Sequence, residues 1–175
     1  GLLCFLALMI EGSILDWAAI MMRQKFEIDA GLAALGFGFY QGGMAAARLT
    51  GDWIRLRIGA VRMVVWSALL AAGGTALALS APTPWLAIAA FVFAGLGLGN
   101  IAPVLFAGGG RLEPDAPGRG IAAVTTLGYS GFLLGPPLIG FAAQLTDINT
   151  ALFLTVIAAL IIAVFARSVR AADTY

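Results

Sequence analysis

Glu11 and Asp16 are the only charged residues in an otherwise apolar stretch, residues 2–22, near the start of the chain. A charged side chain at the centre of a membrane costs about 2.5 kcal/mol or more on insertion scales, so it must face a cavity or a partner. A carboxyl group held at that depth can take up and release a proton. Both residues are therefore candidates for proton transfer. A purely structural carboxyl group is the alternative for Glu11, and a position near the wet outer end of the helix is the alternative for Asp16.

The two carboxylates would lie on different faces of one helix. The five positions between them correspond to about 7.5 Å along the axis and roughly 140° of rotation. Trp17 directly follows Asp16. An aromatic ring beside a polar group suits the face of a sugar, and tryptophan is also common at membrane interfaces. The sequence leaves both interpretations of Trp17 open.

A few further polar side chains fall inside apolar stretches and could line a solute path. They are Tyr40, Gln41, Asn100, Thr126, Tyr129 and Ser130. The chain has no histidine and one cysteine, which excludes disulfides within it, Cys/His metal sites and any catalytic pair that uses histidine. No Gly-x-Ser-x-Gly elbow occurs either. We therefore expect no enzyme activity, no cofactor and no metal, and the net charge of +1 gives no indication of nucleic-acid binding.

The elements that hold these side chains are predicted to be membrane-spanning helices. Charged residues make up 11% of the chain, against about 25% in soluble domains, and mean hydropathy is +0.98. Several stretches longer than a single span carry no charge at all, and they are apolar throughout rather than alternating. Pro82 and Pro84 divide the longest of these stretches. The prediction is six helices, at residues 2–22, 31–49, 61–80, 85–106, 120–143 and 149–167.

The distribution of Arg and Lys predicts the orientation of these helices. Eight of the ten fall on one side of the predicted membrane, and only Arg23 and Lys25 fall on the other. By the positive-inside rule, both termini then face the cytoplasm, in a bacterial inner membrane. Gly1 begins within an apolar run without an initiator Met or a charged leader. We therefore expect the chain to be a segment of a longer protein.

The segment between the second and third predicted helices carries a recognisable motif. It contains Gly51-Asp52, Gly59 and a series of arginines, Arg48, Arg55, Arg57 and Arg62. This segment resembles the signature cytoplasmic loop of the major facilitator superfamily, which joins the second and third helices of each six-helix half. The resemblance implies that the loop sets the conformational balance. Asp52 is expected to cap a helix N-terminus or to pair with an arginine at the membrane surface.

The fifth predicted helix supports the same resemblance, because its Gly135-Pro136-Pro137 is similar to the Gly-Pro-rich kink of that superfamily. The whole chain then corresponds to the C-terminal half of a twelve-helix transporter, built as two inverted three-helix repeats. In that family the first and fourth helices of this half line the path, which ranks Glu11 and Asn100 above Gln41 and Tyr129. The pattern Glu11-Gly12-Ser13 with Asp16-Trp17 is most similar to a branch near the fucose-permease-like carriers.

Glycines four residues apart occur in three predicted helices, at Gly38/Gly42, Gly95/Gly99 and Gly131/Gly135. We interpret these pairs as sites of close helix packing, not as a dinucleotide-binding loop, because no strand precedes them.

The function implied is secondary active transport of a small solute by alternating access, coupled to protons through Glu11 or Asp16. Its partners would be the solute, protons, the lipid bilayer and a missing N-terminal six-helix half. The alternatives are a drug-type exporter of the same superfamily and a membrane scaffold subunit that transports nothing. The solute and the direction of transport stay open.

Overall fold

The structure, a computed structural model, describes residues 1–173 apart from the side chain of Ala171. Within those residues the chain is helical throughout and contains no strand. The elements are α1 (Leu2–Phe26), α2 (Ala30–Ile58), α3 (Ala60–Ser80), α4 (Pro84–Leu98), α5 (Ile101–Leu112), α6 (Pro117–Leu145), α7 (Ile148–Phe165) and a terminal 3-10 helix (Ala166–Ala172).

Five helical segments of the described chain are long and apolar enough to cross a membrane. They are Leu2–Phe26, Ala60–Ser80, Pro84–Leu112, Pro117–Leu145 and Ile148–Arg170. The third of these joins α4 and α5. α2 is not among them, since its glycines and its Tyr40-Gln41 pair dilute the apolar character of the helix.

The helix predicted over residues 85–106 is broken at Gly99-Asn100, between α4 and α5. Proline has no backbone N–H, so Pro103 cannot donate to the carbonyl four residues earlier, which is that of Gly99. The backbone of Gly99 and Asn100 stays in the right-handed region, so α4 and α5 together form one apolar segment, Pro84–Leu112. The sequence prediction gave one unbroken helix here and did not include this effect of Pro103.

The segment predicted as a cytoplasmic loop is mostly helical, and in this respect the prediction was wrong. α2 continues through Arg48, Gly51, Asp52 and Arg55 to Ile58. It ends only at Gly59, whose φ of 82° lies in the left-handed region that favours glycine. No proline lies between Arg48 and Gly59, and Gly51-Asp52 does not interrupt the helix.

Glycines determine how closely the helices approach one another. α1 packs on α6 and α2 packs on α4. A Cβ atom at Gly131 would overlap the carbonyl oxygen of Phe5, and one at Gly95 would overlap that of Tyr40. The pairs Gly95/Gly99 and Gly131/Gly135 are thus packing sites, as predicted. The interpretation of Gly38/Gly42 was wrong for this chain, because a Cβ there would meet no atom within 4 Å.

The C-terminal segment forms hydrogen bonds with the end of α2, the start of α3 and the end of α5. The carbonyl oxygen of Ala172 accepts hydrogen bonds from Arg55 and Arg111. The carboxylate of Asp173 accepts from the backbone N–H groups of Ala60 and Val61, the latter at 3.3 Å. We call these contacts the C-terminal clamp. It caps the N-terminus of α3 through Asp173.

Candidate functional site

An ion pair joins α1 to α2 within the bundle. Arg48 Nη2 lies 3.5 Å from Glu11 Oε1, and the side chains of Arg48 and Glu11 are 50% and 19% exposed. Glu11 thus faces inward with a partner, as a carboxylate inside a membrane span requires. From the sequence we expect a polar neighbour of Glu11 from the second, fourth or fifth helix; the partner does lie on the second helix, but it is Arg48 and not Asn100, Gln41, Tyr129 or Ser130. Arg48 was missed because the prediction placed it at the very end of the second helix, at the membrane surface, whereas α2 continues ten residues further to Ile58.

The same arginine also contacts the break between α4 and α5. Arg48 Nε donates to the carbonyl oxygen of Gly99 at 3.3 Å. This is the carbonyl that Pro103 leaves without its helical donor. A guanidinium group has donors in a fixed planar arrangement, so it can contact a carboxylate and a carbonyl at the same time. Arg48 therefore links three helical segments.

Asn100 is buried, with 7% of its surface exposed. Its Nδ2 donates to the carbonyl oxygen of Ala47 at 2.8 Å. Gly51 lies directly against its amide, where a Cβ atom would overlap Oδ1. The glycine of the predicted motif thus lets α2 approach the break between α4 and α5, which is a packing role.

Tyr40 completes this group of side chains. It is fully buried, and within the described residues its hydroxyl group has no hydrogen-bond partner. It lies close enough to Glu11 and Arg48 for both charges to act on it. A buried hydroxyl group without a partner is costly, so such a group invites a water or a ligand atom. We refer to Glu11, Tyr40, Arg48 and Asn100 as the polar cluster.

The other predicted path residues lie apart from this cluster. Asp16 is exposed on α1, and Trp17 Nε1 donates to the carbonyl oxygen of Pro136 on α6 at 2.9 Å. Gln41 is half-buried, and Tyr129, on α6, is 55% exposed. Among the described contacts neither Gln41 nor Tyr129 makes a hydrogen bond or an ion pair.

The predicted motif residues at the other end of α2 make few of the expected contacts. Asp52 and Arg62 are exposed, and in the described part of the chain Asp52 forms no ion pair. Arg57 stacks on the ring of Trp53, with 4.0 Å from Cζ to the ring centroid. Within the described residues Asp52 thus makes neither of the contacts predicted for it, and Asp173 caps the N-terminus of α3.

The cluster can hold a charge or a proton but has no metal-binding chemistry. No group of three or more His, Cys, Asp or Glu side chains able to hold a metal occurs in the described residues. One carboxylate, one guanidinium group and one unpartnered hydroxyl group are suited to proton exchange and to polar ligands.

Comparison with known proteins gives the family context. The sequence model of the Major Facilitator Superfamily matches residues 1–174. No solved structure matches the chain.

Three curated proteins are similar over nearly the whole chain. An uncharacterized MFS-type transporter of Yersinia pestis is 33% identical, over 97% of this chain and 44% of its own length. Membrane protein MosC of Rhizobium meliloti is 30% identical, over 93% of this chain and 40% of its own. The uncharacterized transporter y4wD of Sinorhizobium fredii (strain NBRC 101917 / NGR234) is 28% identical, over 95% and 44%. The chain therefore spans less than half the length of these relatives.

Proposed function

Because the chain belongs to the major facilitator superfamily, we propose that it is one six-span half of a secondary transporter for a small solute. The spans would be α1, α2, α3, α4 with α5, α6 and α7, arranged as two inverted three-helix repeats. The relatives, which are more than twice as long as the aligned region, leave room for a second half. The solute would bind near the midplane between the two halves.

The proposed orientation follows from the arginines. Six spans return the chain to the side on which it started, so both ends share one compartment. Arg55, Arg111 and the C-terminal clamp gather at that end of the bundle. The positive-inside rule assigns this end to the cytoplasm, in a bacterial inner membrane.

The observation that carries the proposal is the Glu11–Arg48 ion pair. An ionised pair inside a membrane span is expensive to bury and gains stability mainly from its geometry and its other hydrogen bonds. Protonation of Glu11 would remove its charge and weaken its attachment to Arg48, so that α1 and α2 could separate. Proton uptake would in this way change the relative stability of the two access states.

A reconstitution experiment tests this function. The full-length protein is placed in proteoliposomes that contain a pH-sensitive dye, and a panel of small solutes is added outside. Transport coupled through Glu11 predicts that at least one solute moves protons with wild-type protein and not with Glu11→Gln. Solute uptake that moves no protons in either protein would contradict the coupling.

A further inference from the structure

Three clefts that share lining residues follow α1 where it faces α6 and the start of α7. The inner cleft, about 430 Å³, is lined by Asp16 and Pro136 among others. A middle cleft of about 560 Å³ shares Trp17 and Pro137 with it. A third cleft of about 340 Å³ shares Gln24 and Asp147 with the middle one. We call this series the α1–α6 groove.

Two residues that line the inner cleft, Phe132 and Leu133, have backbone carbonyl groups without a helical donor. Pro136 and Pro137 have no N–H groups, so the carbonyl oxygens of Phe132 and Leu133 lose their usual helical donors. The carbonyl of Phe132 faces α1, where a Cβ atom at Gly12 would lie 2.5 Å from its oxygen. The carboxylate of Asp16 lines the same cleft.

Among the described residues that line this cleft, Trp17 alone has a side-chain N–H group, and that group already donates a hydrogen bond. Trp17 Nε1 donates to the carbonyl oxygen of Pro136 at 2.9 Å, which fixes the indole ring beside Asp16. A carboxylate within a membrane-spanning helix needs a compensating group, and none of the described residues forms an ion pair with Asp16.

The far end of the groove is also rich in acceptors. Asp147 caps α7, and the hydrogen bonds from Thr150 hold the pKa of its carboxyl group below the usual range, so it stays ionised at neutral pH. The Oδ1 atom of Asn149 is buried there and has no partner within the described chain. Lys25 lies at this end too, but its Nζ donates to the carbonyl oxygen of Leu79.

We propose that the α1–α6 groove binds and admits the protonated amine group of a solute. An ammonium group supplies a positive charge that can pair with the carboxylate of Asp16. It also supplies N–H donors for the carbonyl groups that Pro136 and Pro137 leave without helical donors. The indole of Trp17 adds a favourable cation–π contact. A neutral or anionic solute would leave Asp16 uncompensated. This inference rests on the proposed function, since the amine would belong to the transported solute.

Binding to the purified full-length protein tests the groove without any gradient. The probe is 2-phenylethylammonium, and the neutral comparison compound is 2-phenylethanol, with affinity measured by calorimetry. We expect saturable binding of the cation only, and at least about tenfold weaker binding in Asp16→Asn. Asp115→Asn is the matched control, because Asp115 is an exposed acid in the loop between α5 and α6. Equal affinity in wild type and Asp16→Asn, or no saturable binding in wild type, would overturn the proposal.

A second variant separates hydrogen bonding from charge. Pro137→Ala supplies an N–H group that can pair with the carbonyl of Leu133 inside α6. The variant should bind 2-phenylethylammonium more weakly and leave the affinity for tetramethylammonium, which has no N–H donor, unchanged. An equal loss for both cations would contradict the role of the carbonyl.

The groove and the proton coupling can fail independently. Glu11→Gln should bind 2-phenylethylammonium as wild type does, because Glu11 does not line the groove. If a solute moves protons through wild-type protein that does not bind the amine, the proposed function stands and the groove proposal falls. If the amine binds but no solute moves protons, the groove proposal stands and the proposed function falls.

Discussion

Arg48 holds the most contacts of the polar cluster, since it reaches Glu11 and the carbonyl oxygen of Gly99. Glu11 could be singled out from the sequence because a carboxylate in an apolar stretch is conspicuous. Arg48 could not be assigned to it, since the pairing depends on the relative depth of two helices. The prediction put Arg48 at the end of its helix, at the membrane surface, whereas α2 extends to Ile58 and Arg48 lies well inside it.

At the residue scale, we expect Arg48→Gln to be more destabilising than the double variant Glu11→Gln/Arg48→Gln. The single change leaves a carboxylate without its partner, whereas the double change removes both charges. A double-mutant cycle on thermal unfolding of the full-length protein should give a coupling free energy of about 1 kcal/mol or more. Additive effects of the two single changes would show that the pair contributes no stability.

At the scale of the elements, charge-free stretches were enough to predict where helices lie, but not where they break or end. Pro103 and Gly59 determine those points through a missing N–H group and a positive φ. The packing role of Gly95 and Gly131 followed from their spacing. That Gly38 and Gly42 face open space depends on which side of α2 meets α4, which spacing alone does not show.

Two adjacent glycines of α3 provide a matched test of helix packing. A Cβ atom at Gly74 would lie 2.9 Å from Ala94 Cα on α4, whereas one at Gly73 would meet nothing within 4 Å. We expect Gly74→Ala to lower the free energy of unfolding by about 1–3 kcal/mol through overpacking. Gly73→Ala should have no effect or stabilise slightly, because alanine favours the helix. Equal melting temperatures for the two variants would contradict the observed helix faces.

The C-terminal clamp offers a second test at this scale. Asp173→Ala removes the side chain that accepts from the N–H groups of Ala60 and Val61, and loss of such a cap costs about 1 kcal/mol. Hydrogen exchange at the start of α3 should therefore become faster. Asp52→Asn is the control, since Asp52 makes no such contact in the described structure. Faster exchange in Asp52→Asn alone would show that Asp52, and not Asp173, stabilises the start of α3.

At the scale of the whole molecule, membership of the family and the all-helical architecture could be predicted from the sequence. Composition indicated a membrane protein, and the motif around Gly51-Asp52 indicated the superfamily that the comparisons show. The solute could not be predicted, because the relatives extend well beyond the aligned region and any second half would supply part of the site. The α1–α6 groove could not be predicted from the sequence either, because it depends on how α1 and α6 pack, with the carbonyl of Phe132 beside Gly12.

Proton coupling through Glu11 can be separated from solute binding by a comparison of two modes of transport. Wild-type protein and Glu11→Gln are reconstituted with a solute identified by the dye assay. Exchange between equal solute concentrations and accumulation driven by a pH gradient are then measured for both proteins. The amide of glutamine mimics only the protonated carboxyl group. Coupling through Glu11 therefore predicts that Glu11→Gln retains solute exchange and loses solute accumulation. Accumulation at the wild-type level in Glu11→Gln would contradict it.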